Sequence, residues 1–329
     1  FTGTYSYRDI AWMTLNPASL VKLSVALFRE GLFRRKVTRP RRLHVGSTKV
    51  LILGSGFGGT YVLRHLVPSL NRNENVETTM VSDENFFLFT PLLHEVAMGQ
   101  IETRHIAYPI RRLQWRDRFN FVQATVEKID LAERKVTTTL GTVDFDYLVL
   151  ALGSIPDTSA LNLMGENVFT LKTLGDSMLI RNHIIGLFER ASIEKEPERR
   201  RQLLTFVIAG GGYIGVQLVT ELGDFIYRNL LRFYKAIAPA DIRIIVVEAE
   251  PKLVPELHPN LSSYVMRHLQ RTGIELRLRS RVTRAGVDRV EINNEEIILA
   301  STLIWVAGVV ANPQTARLEV AKDNIGRVK

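Results

Sequence analysis

KVLILGSGFGGT, residues 49–60, is the stretch on which the fold turns. Val50, Leu51, Ile52 and Leu53 form an unbroken apolar run, which suits a strand buried on both faces of a parallel sheet. Gly54, Ser55, Gly56, Phe57, Gly58 and Gly59 follow at once, and then a helical stretch through Tyr61, Leu63 and Leu66. A β-rich run at Val76–Val81 completes a βαβ unit, which needs a right-handed crossover and a parallel sheet.

The same grammar returns in TFVIAGGGYIGV, residues 205–216. Phe206–Ala209 lead into Gly210, Gly211, Gly212, Tyr213, Ile214 and Gly215, a helix runs from Val216 through Leu222, and Ile242–Val247 supply the next strand, ending at Glu248. Two further apolar strands, Tyr147–Ala151 and Leu303–Val306, each close on a glycine turn, at Gly153 and at Ala307–Gly308. The expected class is α/β with two Rossmann-like dinucleotide-binding domains. The charged stretch Glu194–Arg201, which contains Pro197, reads as a surface loop.

In G-x-G-x-x-G each glycine has its own task. The first allows a tight turn, the second lets a pyrophosphate approach the backbone, and the third lets helix and strand pack closely. Gly54, Gly56 and Gly59 fit these tasks, as do Gly210, Gly212 and Gly215. An acidic residue ending the second strand would hold a ribose hydroxyl and repel a 2′-phosphate. Glu248 stands there in the second unit and favours NADH over NADPH, whereas the first unit offers Ser82 and Asp83 with the register open.

The chain has 329 residues, 46% hydrophobic and 23% charged, which is ordinary globular composition. It contains no cysteine, so disulfides, thiolate metal sites and cysteine redox centres are excluded and any redox chemistry needs a bound cofactor. His94, His105 and His258 lack metal-ligand spacing and read as surface or loop residues. The net charge of +9 is concentrated early, in Arg34, Arg35, Lys36, Arg39, Arg41, Arg42 and Lys49. Just before them, Leu20–Phe33 reads as a short amphipathic helix. Three readings stand for this region: a solvated surface helix, a peripheral contact with an anionic membrane, or an organellar targeting stretch. The basic cluster lacks interleaved aromatic residues, so a nucleic-acid partner is not expected.

The stretch NFFLFTPLLHEVAMG, Asn85–Gly99, reads on chemistry alone as a hydrophobic core loop. Together with GSGFGG, DYLVLALGS at Asp146–Ser154, GGGYIG and WVAGVVANP at Trp305–Pro313, it resembles the type II NADH dehydrogenases, single-subunit flavin-dependent NADH:quinone oxidoreductases. The likeness runs from Lys49 to the end, and NFFLFTPLL is its most specific element.

The resemblance implies an NADH domain inserted in an FAD domain. Its expected bounds are 1–48 for an amphipathic and basic segment, 49–160 for the first part of the FAD domain, 161–310 for the NADH domain and 311–329 for the returning FAD segment. It implies Thr90 and Pro91 close to the isoalloxazine ring, Val126 near the FAD adenine and Gly153 along the flavin. On the NADH side it implies the glycine turn, Glu248, Val282, Ala307 and Gly308. Implied partners are FAD, NADH, a quinone, a peripheral membrane surface and a second copy of the chain, at a cytoplasmic or organellar inner-membrane face.

Two departures stand out. Gln217 occupies a place where the family usually has Glu, so a carboxylate near the nicotinamide and quinone is replaced by an amide. The family's later Gly-Asp flavin segment, quinone segment and membrane helices have no counterpart before Lys329, so the chain is expected to be a fragment. Two other functions compete: a related flavoprotein reductase with a protein or oxygen acceptor, and a nucleotide-binding module without turnover.

Overall fold

A computed structural model describes residues 47–70, 75–113, 119–159, 162–163, 167–323 and 326–329. The amphipathic stretch Leu20–Phe33 and the basic residues Arg34–Arg42 lie outside the described residues. The described chain divides into two units, one of residues up to Phe87 with Tyr108–Ala151 and one of Leu88–Ala107 with Leu152–Lys329.

The first unit is built on β1 (Thr48–Leu53), α1 (Phe57–Leu70), β2 (Val76–Ser82), β3 (Asn120–Gln123), the antiparallel strands β4 (Val126–Asp130), β5 (Lys135–Thr138) and β6 (Gly141–Asp144), and β7 (Tyr147–Leu150). Its main sheet has the order β3-β2-β1-β7, and every pair is parallel. The apolar run Val50–Leu53 lies in the middle of this sheet and is buried throughout, as a two-sided strand must be.

The second unit contains α2 (Leu93–Ala97), β8 (Ser154–Pro156), β9 (Asn162–Leu163), β10 (Val168–Thr170), α3 (Leu174–Ile193), α4 (Pro197–Leu203), β11 (Thr205–Ala209) and α5 (Tyr213–Asp224). It continues with β12 (Arg243–Glu248), α6 (Pro259–Arg271), β13 (Glu275–Leu278), β14 (Val282–Ala285), β15 (Arg289–Ile292), β16 (Glu296–Leu299), β17 (Thr302–Trp305) and β18 (Val309–Ala311). The parallel sheet has the order β10-β17-β11-β12-β13. Val207, Ala209, Ile245 and Val247 from it share a core with Val282, Val290, Ile292 and Ile298 of the second sheet, β9-β14-β15-β16.

Helix α3 shows how local sequence and tertiary packing agree. Thr173 and Asp176 form a reciprocal capping box, and Ser177, Ile180, Ile184, Leu187, Phe188 and Ala191 are its buried stripe. Each large apolar side chain there adds about 1.5–3 kcal/mol by leaving water. Helix α2 packs on α3 and α5, and the buried Ser177 hydroxyl donates to the Leu93 carbonyl at 3.0 Å.

Three sequence expectations are corrected. Residues 197–203, expected within a loop, form the helix α4, because Pro197 supplies a pre-set first turn and Gln202 and Leu203 are buried at its end. Asn85–Gly99 is not a loop but a short strand at Phe86–Leu88, a 3-10 turn at Thr90–Leu92 and α2. His94 is buried in α2 at 6% exposure, not at the surface, whereas His105 and His258 are exposed. At the chain end, Lys322 and Val328 form one isolated antiparallel bridge, and Gly326 has φ 82°. Among the described residues no helix is long and apolar enough to cross a membrane.

Candidate functional site

In the first unit the Gly54 amide donates to the Val81 carbonyl at 2.7 Å, and in the second the Gly210 amide donates to the Val247 carbonyl at 2.9 Å. The strands pair in matching register, Leu53 with Val81 and Ala209 with Val247. Gly54 is therefore equivalent to Gly210, and Ser82 to Glu248. This settles the register left open by the sequence: Ser82, the last residue of β2, holds the acidic residue's place, and Asp83 lies one position beyond it.

Steric space around the glycines divides their tasks. A Cβ on Gly59 would overlap the Gly54 carbonyl oxygen, and a Cβ on Gly215 would overlap that of Gly210. These third glycines let each helix lie against its strand. Around Gly56 and Gly212 nothing lies within 4 Å of where a Cβ would stand, so both backbones face open space. Gly212 caps α5 with no side-chain hydrogen bond, and neither α1 nor α5 has an acidic residue in its first turn. The amino-terminal turn and the positive end of each helix dipole thus meet an open cradle, the arrangement that favours a pyrophosphate.

Ser55 ties the first turn together. Its hydroxyl lies 2.9 Å from the Ser82 hydroxyl and 3.1 Å from the Phe86 carbonyl, and its own carbonyl accepts from Thr60 Oγ1 at 2.9 Å. Asp83 is exposed and its carboxylate accepts from the Glu84 amide at 2.9 Å. Phe57, half exposed at the helix start, meets Phe87 edge to face with ring centroids 5.0 Å apart. A Cβ on Gly58 would stand 3.3 Å from the Cβ of Ala151. Val126 begins β4 and is buried.

Around the second turn, Glu248 is fixed by backbone donors: the Gly211 amide on one oxygen and the Glu250 amide, at 2.8 Å, on the other. The loop after β12 closes over Gly211 through a 2.8 Å bond from the Val254 amide to the Gly211 carbonyl. Val254 adopts φ 45°, a costly conformation for a β-branched residue. Ser262 holds this loop by donating to the Leu253 carbonyl at 2.6 Å. At the neighbouring end of β17, Val306 and Ala307 lie so close to Gly210 that no Cβ fits, and Gly308 has φ 152°. Gly210–Gly215, Glu248, Ala307 and Gly308 are thus brought together at the carboxyl ends of β11, β12 and β17, where open parallel sheets bind ligands. Tyr213 and Ile214 are exposed at the start of α5. Val282 is not among the exposed groups: its side chain belongs to the core between the two sheets.

Thr90 and Pro91 are half-buried in the 3-10 turn before α2. Beneath them burial pushes the His94 imidazole down to about 4, opposed by a hydrogen bond to the Pro91 carbonyl, so the ring is neutral at physiological pH. Burial raises the Glu95 carboxyl, and burial followed by the negative charges of Glu95 and Asp224 raises Glu221 on α5. Gln217 is exposed on the same helix, one turn before Glu221. Gly153, at φ 71°, is exposed, and its carbonyl accepts from the Asn312 amide at 3.2 Å. Sequence reasoning missed Ser55 and Leu253–Val254. Ser55 carries a signal, a small polar residue between two glycines, whereas Leu253–Val254 carry none. Among the described residues no group of three or more acidic or histidine side chains is placed to hold a metal ion.

A family model described as Pyridine nucleotide-disulphide oxidoreductase matches residues 48–329. A Dictyostelium discoideum protein described as "Probable NADH dehydrogenase" is 31% identical over 93% of this chain and 69% of its own length. An Arabidopsis thaliana mitochondrial protein, external alternative NAD(P)H-ubiquinone oxidoreductase B4, is 32% identical over 80% of this chain and 47% of its own. The type II NADH:quinone oxidoreductase of Staphylococcus epidermidis is 30% identical, over 79% of this chain and 64% of its own. The chain therefore spans about half to two thirds of these curated relatives. In fold it is similar to the NDH2 of Plasmodium falciparum solved in complex with NADH, at TM-score 0.74 and 24% identity, covering 82% of this chain and 57% of that one.

Proposed function

The chain belongs to the pyridine nucleotide-disulphide oxidoreductase family, whose members typically bind FAD and NAD(P)H, and from that premise we propose that it oxidises NADH through FAD and delivers the electrons to a membrane quinone. The observation that carries this reading is the pair of glycine turns built in one register, each opening on an uncrowded helix start. The first turn would hold the FAD pyrophosphate on backbone amides, with Ser82 at the sugar. The second would hold NADH, with the fixed Glu248 carboxylate accepting from a ribose hydroxyl and repelling a 2′-phosphate. Thr90, Pro91 and Gly153 would border the flavin, the backbone of Val126 its adenine, and Ala307, Gly308 and the backbone of the buried Val282 the nicotinamide nucleotide.

When bound, FAD supplies the hydride acceptor and the two-electron donor for the quinone. The protein's own part is to orient the two nucleotides and keep charge where it helps. NADH, one proton and quinone give NAD+ and quinol, so a proton must enter. Gln217 donates and accepts hydrogen bonds but exchanges no proton, so that proton comes from another group or from water. The quinone is supported by the described activities of relatives at 30–32% identity, including the external mitochondrial Arabidopsis protein, and a peripheral membrane face is proposed with it. The same kinship motivates the FAD and NADH domain bounds given above, and a homodimer is proposed beside them.

The test is the full-length protein purified and examined for visible flavin absorbance, then mixed with NADH and a soluble quinone. Flavin binding with rapid, quinone-dependent NADH oxidation is the expected result. Oxidation with ferredoxin or oxygen but not with quinone overturns the acceptor, and absence of flavin overturns the whole reading.

A further inference from the structure

Lys172 lies between β10 and α3, and its ammonium donates to the Ser154 hydroxyl at 3.0 Å. The side chain is half-buried, and among the described residues no carboxylate pairs with it. The nearest acid in sequence, Asp176, is already committed: its Oδ2 accepts from the Lys172 amide at 2.8 Å, the Thr173 amide at 3.0 Å and the Thr170 hydroxyl at 3.1 Å. Desolvation lowers the proton affinity of the amine. A half-buried cation answered by one neutral hydroxyl is costly, and among the described residues the Ser154 hydroxyl is the one acceptor shown for its three donors.

The turn it touches is held from other sides as well. Ser154 pairs with Ala311 between β8 and β18, and the Asn312 amide donates to the Gly153 carbonyl. Gly153 itself is exposed, with nothing within 4 Å of where a Cβ would stand. The result is a braced glycine turn with open space over Gly153 and an ammonium bound to the next residue, Ser154.

We infer that the Lys172 ammonium serves the flavin, favouring its anionic reduced form and so raising its reduction potential. The inference rests on the reading that a flavin lies along Gly153. Hydride transfer from NADH brings two electrons and one proton, so oxidised flavin becomes an anion while NADH becomes NAD+, with no other reactant needed. A cation held near that new charge stabilises product over reactant, which is how preorganised charge acts at a redox centre. Quinone then takes the hydride equivalent and a proton from solvent, and the charge disappears.

The test uses the full-length flavin-loaded protein and compares wild type with Lys172→Met, Lys172→Gln and Lys172→Arg. Two quantities are measured: the two-electron midpoint potential of the flavin, and the affinity for sulfite, whose adduct is likewise an anion. Met and Gln are expected to weaken sulfite binding about tenfold and to lower the midpoint by about 30 mV, the equivalent of tenfold for a two-electron couple. Arg is expected to restore both. Gln stays polar beside the Ser154 hydroxyl while losing the charge, so it carries the test if Met fails to fold. Flavin-loaded Gln protein with unchanged potential and sulfite affinity overturns the role of Lys172 while leaving the flavin reading intact. Wild-type protein without flavin overturns the reading beneath it.

Discussion

Acidification should strike this fold through His94. Its imidazole is 6% exposed, and burial holds its proton affinity at about 4 against an ordinary 6.5. The folded state therefore binds fewer protons than the unfolded chain between these values, and stability falls as pH falls through that window. The full difference corresponds to about 3 kcal/mol, of which about 2 kcal/mol is lost between pH 7 and pH 5. Glu95 and Glu221, both raised, act in the opposite sense, since their protonated forms favour the fold and that contribution fades as pH rises. Comparing wild type with His94→Asn removes their influence, because both proteins keep them. The assay is urea unfolding at pH 7 and pH 5, with the amide still able to donate to the Pro91 carbonyl. The wild type should lose about 2 kcal/mol more than the variant over this interval. Equal losses would refute the reasoning and place the His94 proton in solvent contact.

Gly215→Ala, whose Cβ would meet the Gly210 carbonyl, should cost about 1–3 kcal/mol of stability in thermal melts, whereas Gly212→Ala should melt like wild type yet bind NADH at least about tenfold more weakly. Glu248→Gln should shift the ratio of NADPH to NADH affinity upward by about tenfold in direct titration, because the carboxylate charge is lost. Arg243 and Glu275 join β12 to β13 through two bonds of 2.8 and 2.9 Å, and a double-mutant cycle should return only about 0.5–1 kcal/mol because both are partly exposed. Arg243 lowers the Glu275 carboxyl, so this contribution is present above the ordinary glutamate value and is lost as pH falls through the lowered one.

The strands and glycine turns were legible because they are local: an apolar run buried on both faces and a backbone that must approach another backbone leave a mark in a dozen residues. Helix α4 was not legible, since its charged residues carry no apolar period and only burial of Gln202 and Leu203 holds its end. The depth of His94 was hidden for a similar reason. Nothing in its neighbours distinguishes a loop from a five-residue helix, and α3 and α5, which cover it, arrive from far along the chain. Lys172 is one of many lysines by sequence, and only the commitment of Asp176 to backbone amides leaves its charge unanswered.

The matched register of the two turns also bears on how the chain avoids misassembly. Two parallel-sheet units with the same apolar grammar invite exchange of strands during folding, and slow non-local pairing lengthens the exposure. Ser55 and Ser82 meet through their hydroxyls, whereas Gly211 leaves room for Glu248, whose Cβ and Cγ lie 3.1 Å from where a Cβ on Gly211 would stand. If β1 paired with β12, the Ser55 side chain would collide with Glu248, and the carboxylate would lose the Gly211 amide. If β11 paired with β2, Ser82 would face a bare glycine and forfeit its hydroxyl partner. One side chain at each turn thus works against exchange, favouring each strand's pairing within its own sheet.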